Sequence, residues 1–136
     1  MRDGQVRIGC GAGFSADRLD GAVDLARAGG LDALIFECVG ERTLAFGHRD
    51  RKIDSAKGYN PQLEARLRAV WPHTLADGCT IVTNMGVANP IAAARAAMGL
   101  GIEGASVAAV LGDDVTDLID RDTVLDFGAR LVGEID

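Results

Sequence analysis

The chain has 136 residues, of which 48% are apolar but only 4% aromatic, and it carries a formal net charge of −6. That length suits a single α/β-sized domain spanning 1–136, with a core of Ala, Val, Leu and Ile in place of large rings. The acidic balance argues against a nucleic-acid partner, and no apolar run approaches the roughly 20 residues of a membrane span, so no membrane partner is expected either.

In chain order, the apolar run QVRIG at 5–9 predicts a first strand directly after the start, with no sign of a secretory leader. Gly11-Ala12-Gly13-Phe14-Ser15-Ala16 follows, in the pattern G-x-G-x-x-A. Residues 17–29 then place Leu19, Val23, Leu25 and Ala26 on one helical face, and Gly29-Gly30 ends that helix. The continuous apolar run at 32–39 reads as a second strand, buried on both faces. A short helix fits the stretch from Glu41, and the charged, aperiodic residues 48–60 read as a loop. Asn60-Pro61 starts a helix with Leu63, Leu67, Val70 and Trp71 as its stripe, and Pro72 kinks or interrupts it. The run at 79–84 is a third strand, taken as buried on both faces through Val82. Asn89-Pro90 repeats the helix start, 104–112 is a fourth strand, and 123–135 is the best helical candidate in the tail.

Strands alternating with helices predict an open, doubly wound sheet of about four parallel strands with helices on both faces, of Rossmann or flavodoxin type. The simplest order is 2-1-3-4, with the first strand central. Cys10, Cys38 and Cys79 lie in or beside strands without paired spacing, so they read as reduced thiols of a cytoplasmic protein. Residues 42–57 hold Arg42, Arg49, Arg51, Lys52 and Lys57 against Asp50 and Asp54, a basic island in an acidic chain. A solvated loop and a docking patch for an anion or acidic partner both fit it.

The opening glycines fit a dinucleotide fingerprint, with Glu37 at the end of the second strand where a ribose-binding carboxylate would stand. They equally fit a turn that shapes another pocket. Phe14 is large for a residue beside a pyrophosphate, and Asp17 would set a negative charge near it. More telling is that every strand ends in polar or flexible residues. The carboxyl ends of parallel strands share one edge, where ligands bind in open sheets. The candidate ligand-binding residues at that edge are Gly11, Gly13, Phe14, Glu37, Asn84, Gly86 and Asn89. Asp113 and Asp114 are the candidate catalytic groups, as an acid–base pair or as oxygen ligands for a hard divalent cation such as Mg²⁺. Both also suit a helix cap. Glu37 at a strand end needs a partner, for which Arg18 and Arg42 are the candidates. His48 and His73 each stand alone, and no Cys/His metal framework or Walker glycine-lysine motif is present.

With these pieces in order, the chain resembles the acyclic terpene utilisation (AtuA-type) family. The segments that carry the resemblance are VRIGCGAGFSADR, LDALIFECVGERTLAF, KGYNPQLEARLRAVWP, GCTIVTNMGVANPIAAA and VAAVLGDDV. The strongest are Asn84 to Pro90 and Gly112-Asp113-Asp114. The sequence departs from the family pattern at Ser15-Ala16-Asp17, where Gly-Asp follows the first aromatic, and at Gly86-Val87, where two glycines stand. The resemblance implies a link to the breakdown of branched isoprenoid acids as coenzyme A thioesters, without fixing the reaction. It also implies a longer family architecture, of which this chain is an N-terminal portion or a small subunit.

Three functions follow as expectations. The first is part of an enzyme of branched acyl-CoA catabolism, with Asp113 or Asp114 as metal ligand or base and Asn84 orienting a carbonyl. The second is a non-catalytic module docking a C-terminal partner subunit or a second copy. The third is a nucleotide-binding domain.

Overall fold

Three short strands, β1 (Ile8–Ala12), β2 (Ala33–Phe36) and β3 (Thr80–Thr83), form one parallel sheet in the order β1-β2-β3. The structure, a computed structural model, describes residues 4–118 apart from Ala16 and Asp114. Four helices join the strands: α1 (Asp20–Ala28), α2 (Glu41–Ile53), α3 (Leu63–Ala76) and α4 (Pro90–Met98). The class is α/β with an open parallel sheet. The tail helix expected at 123–135 lies outside the described residues.

The expected order 2-1-3-4 is not what forms: β2, not β1, is central. The difference decides where the helices go. Two successive crossovers of the same hand that step in the same direction leave their helices on the same face. α1 packs on β1, α3 packs on β3, and the two helices pack on each other. Beneath them lies the row Gly9, Leu34 and Ile81, continued by Ala12 and Phe36. Leu34 and Phe36 are fully buried there, among Ala22, Ala26, Leu67 and Val70.

The opposite face is open among the described residues, so the expected covering by helices on both sides is not seen. Its row runs Cys10, Ile35, Val82, with Ile8 one step back. Ile8 is 62% exposed and Val82 50% exposed. The reading of the third strand as buried on both faces is therefore corrected: β3 is an edge strand with one wet face.

The fourth strand expected at 104–112 makes no ladder among the described residues. Its small residues (Ala105, Ser106, Ala108, Ala109) offer little to pack, and Val110 and Leu111 stay exposed. Gly104 and Gly112, at φ 77° and 121°, bend the chain at either end. The segment stands across a groove from β3.

Two local readings also shift. Residues 48–53, expected in a loop, continue α2 to Ile53. Arg and Lys are good helix formers, and Arg51 and Lys52 in the last turn suit the negative end of the helix dipole. The Thr43 hydroxyl accepts from the Gly40 N–H at 2.7 Å and so fixes the helix start. α3 begins later than expected: its N-cap is Gln62 and its first residue Leu63, while the Asn60 Oδ1 accepts from the Gln62 N–H at 2.8 Å in the turn ahead of the helix. Pro72 lies within α3, and the helix continues past it to Ala76.

Candidate functional site

All three strands end at one edge, and the side chains there are bound to each other. Glu37 follows β2 and Asn84 follows β3. The Asn84 amide Nδ2 donates to Glu37 Oε1 at 2.9 Å, while its Oδ1 accepts from the Cys38 N–H at 2.8 Å. Glu37 Oε1 also accepts from the Val39 N–H at 3.0 Å. These bonds favour the carboxylate, Asn84 first and then Val39, so Glu37 is held below the usual carboxylate range. The partner that its position requires is thus an amide, not Arg18 or Arg42. Arg18 is engaged with Asp20 through a charged pair.

A folded-state carboxylate held low adds stability that is present above its unfolded value and lost as pH falls through its folded value. Asn84→Ala removes the main cause. The fall in Tm between roughly pH 5 and pH 3 is therefore expected to be shallower in Asn84→Ala than in the wild type. Thermal melts at half-unit pH steps check this, and an unchanged slope would remove Asn84 as the cause.

The opening glycines serve the inside of the molecule. Gly11 is the extra residue of a bulge, since Cys10 pairs with Ile35 and Ala12 with Phe36. A Cβ on Gly11 would lie 2.7 Å from Phe36 Cε1. The missing side chain is what lets the Phe36 ring lie beneath the strand. The Gly13 N–H donates to Asp17 Oδ2 at 2.9 Å, and the Arg18 N–H donates to Asp17 Oδ1 at 2.9 Å. Those bonds, Gly13 first, hold the Asp17 carboxyl below its ordinary value. The Gly13 N–H is thus occupied within its own loop, and Phe14 is exposed.

The segment after β3 is the tightest turn at this edge. A Cβ on Gly86 would meet Pro90 Cα at 2.9 Å. Val87 has φ 51°, in the left-handed region that β-branched residues rarely adopt. Asn89 is a brace: its Oδ1 accepts from the Ala92 N–H at 3.3 Å to cap α4, and its Nδ2 donates to the carbonyls of Ser55 and Lys57. From the basic island, Arg51 Nη1 donates to the Ala88 carbonyl at 2.7 Å, and Arg49 pairs with Asp50 over the Phe46 ring.

A groove of about 840 Å³ lies beside β3, lined by Asn84, Gly86, Trp71, Pro90, Val107 and Asp113 among others. It brings Asp113 to the same cavity as Asn84 and Gly86, while Gly11, Gly13 and Glu37 stand outside it. Asp114, the second candidate carboxylate, lies outside the described residues. Among the described residues, no three His, Cys, Asp or Glu side chains gather into a metal site. His48 is exposed and His73 half-buried near the end of α3. The cysteines are free, Cys10 exposed and Cys38 and Cys79 buried. Burial pushes both buried thiols up. No described helix is long and apolar enough to cross a membrane.

One buried charged residue at this edge gave no motif in the sequence. Arg66 of α3 is 1% exposed and lies at the strand ends, its guanidinium 5.7 Å from the Phe36 ring centre. Nη2 donates to the Asp17 carbonyl and to Gln62 Oε1. An arginine on the buried stripe of a predicted helix, between Leu63 and Val70, was the available signal.

An open parallel sheet with helices between its strands defines an α/β protein, and here polar side chains bond to one another at the carboxyl ends of the strands. A family model described as acyclic terpene utilisation family protein AtuA matches residues 6–128, and the chain belongs to that family. The family is one of acyclic terpene utilisation. No curated protein and no solved structure matches the chain.

Proposed function

We propose that the chain is part of an enzyme of branched isoprenoid catabolism that holds an acyl-CoA or related carboxylic intermediate at the carboxyl ends of its strands. The observation that carries this reading is the Asn84 node. One amide ties Glu37 and Cys38 to the end of β3 and borders the 840 Å³ groove that Asp113 also lines. A groove with an apolar lining and few polar groups suits a branched acyl chain with a polar head. Asp113, with Asp114 beside it in sequence, supplies the acid–base or cation-binding group. The test is calorimetric titration with isovaleryl-CoA, with and without Mg²⁺. Binding to the wild type, weakened about tenfold or more in Asn84→Ala and in Asp113→Asn, supports the reading. Equal affinity in all three proteins overturns it.

A second reading, a small subunit that docks a larger partner, draws on the sheet face around Ile8, Cys10 and Val82 and on the outer edge of β3, which pairs with no strand among the described residues. An apolar face and a bare edge are both surfaces that other chains cover. The nucleotide-binding alternative has the weakest support, because Gly11 accommodates Phe36 and the Gly13 N–H is taken by Asp17.

A further inference from the structure

We propose that Arg66 is the receptor for an oxyanion, the carboxylate or phosphate end of the ligand held at the strand ends. The proposal deepens the reading above and rests on a ligand at the same edge.

A guanidinium has five N–H donors. In Arg66 only Nη2 is engaged, by the Asp17 carbonyl and Gln62 Oε1. Nε and Nη1 are buried and have no hydrogen-bond partner among the described residues. The charge also lacks an ion pair among the described carboxylates, although it acts on Asp17 through space. Asp17 has turned its two oxygens to the N–H groups of Gly13 and Arg18. Glu37 has turned Oε1 to Asn84 and Val39. A buried cation with no ion pair and with donors unmet is unfavourable unless something completes it. An oxyanion does both at once: it supplies the charge and accepts from the open N–H groups.

The surroundings favour this guest. Phe36 supports the guanidinium from the sheet side, and the gap at Gly11 is what allows that ring its place. The planar group is thereby fixed before the ligand arrives. The stretch after β1 is tied to α3 by the Asp17 carbonyl on Arg66 and by Asn60 Nδ2 donating to Ser15 Oγ at 3.0 Å. The open donors are closed to solvent, so an anion reaches them only with local movement of the surrounding chain, and it competes with neither bond of Nη2.

The test uses simple anions and no thioester, so it fails separately from the acyl-CoA reading. The Tm of the full chain is followed against sodium acetate and, in a parallel arm, sodium phosphate, each at ionic strength matched with sodium chloride. At an anion concentration tenfold above its Kd, a rise of about 3 °C is expected in the wild type and none in Arg66→Met. A rise with acetate assigns the site to a carboxylate end, and a rise with phosphate to a phosphate end. No rise with either, or the same rise in Arg66→Met, overturns the proposal. If Arg66→Met does not fold, the Nε–H resonance of Arg66 in the wild type decides. A saturating shift with either anion supports the receptor, and an unmoved resonance overturns it.

Discussion

Leu34→Asp is expected to leave no folded protein, while Val82→Asp, on the neighbouring strand, is expected to melt within about 1 kcal/mol of the wild type. Leu34 is 0% exposed in the middle of the central strand, under α1 and α3. A carboxylate there has no partner, and its burial costs several kcal/mol against a total stability of roughly 5–15 kcal/mol. Val82 belongs to the opposite face of the sheet and is half exposed, so an aspartate at 82 keeps its water. Urea melts of both variants check the pair. A large loss at Val82 would mean that something covers the open face, and a folded Leu34→Asp would mean that the helices do not pack as described.

Gly11→Ala is expected to cost about 2 kcal/mol, because a single methyl would meet the Phe36 ring at 2.7 Å. The ring is 1% exposed and wedged between the strand and Arg66, so it has no easy retreat. The same substitution in a Phe36→Leu background is expected to cost less than half as much, a coupling that a double-mutant cycle in urea reads directly. A glycine kept for a pyrophosphate would behave otherwise. Its alanine variant would lose nucleotide affinity and keep its stability, with no coupling to residue 36.

The sequence made the elements legible because their periods differ. Runs such as 32–39 and 79–84 could only be short strands, and the stripes of α1 and α3 were helical. Asn89 marked a helix start, since the side-chain oxygen that caps a helix is a local chemical need, whereas Asn60 shapes the turn two residues before the α3 cap. Strand order was not legible. Nothing in the run 5–9 distinguishes a central strand from an edge strand until its neighbours are known, and β1 in fact lies further along, at 8–12, taking Gly11 into its bulge. The Glu37 partner was misassigned because charge complementarity pointed to arginines, while the geometry of two adjacent strand ends delivered Asn84. Arg66 was hidden because a single charge on an apolar stripe has no motif; only its burial gives it meaning.

The two strand pairings close chain segments of different length. The Arg7 N–H reaches Asp32 across 25 residues, and Asn84 reaches Glu37 across 47. Loop-closure entropy rises only by roughly 0.6 kcal/mol per doubling of the segment, so the longer connection places β3 at almost no disadvantage. Burial of one or two apolar side chains outweighs that difference several times over. What makes β3 the weaker member of the sheet is thus its own side chains: Thr80, Val82 and Thr83 face solvent, and only Ile81 reaches inward. Shortening the connection through α2 and α3 would leave that weakness in place, because chain entropy is not its source.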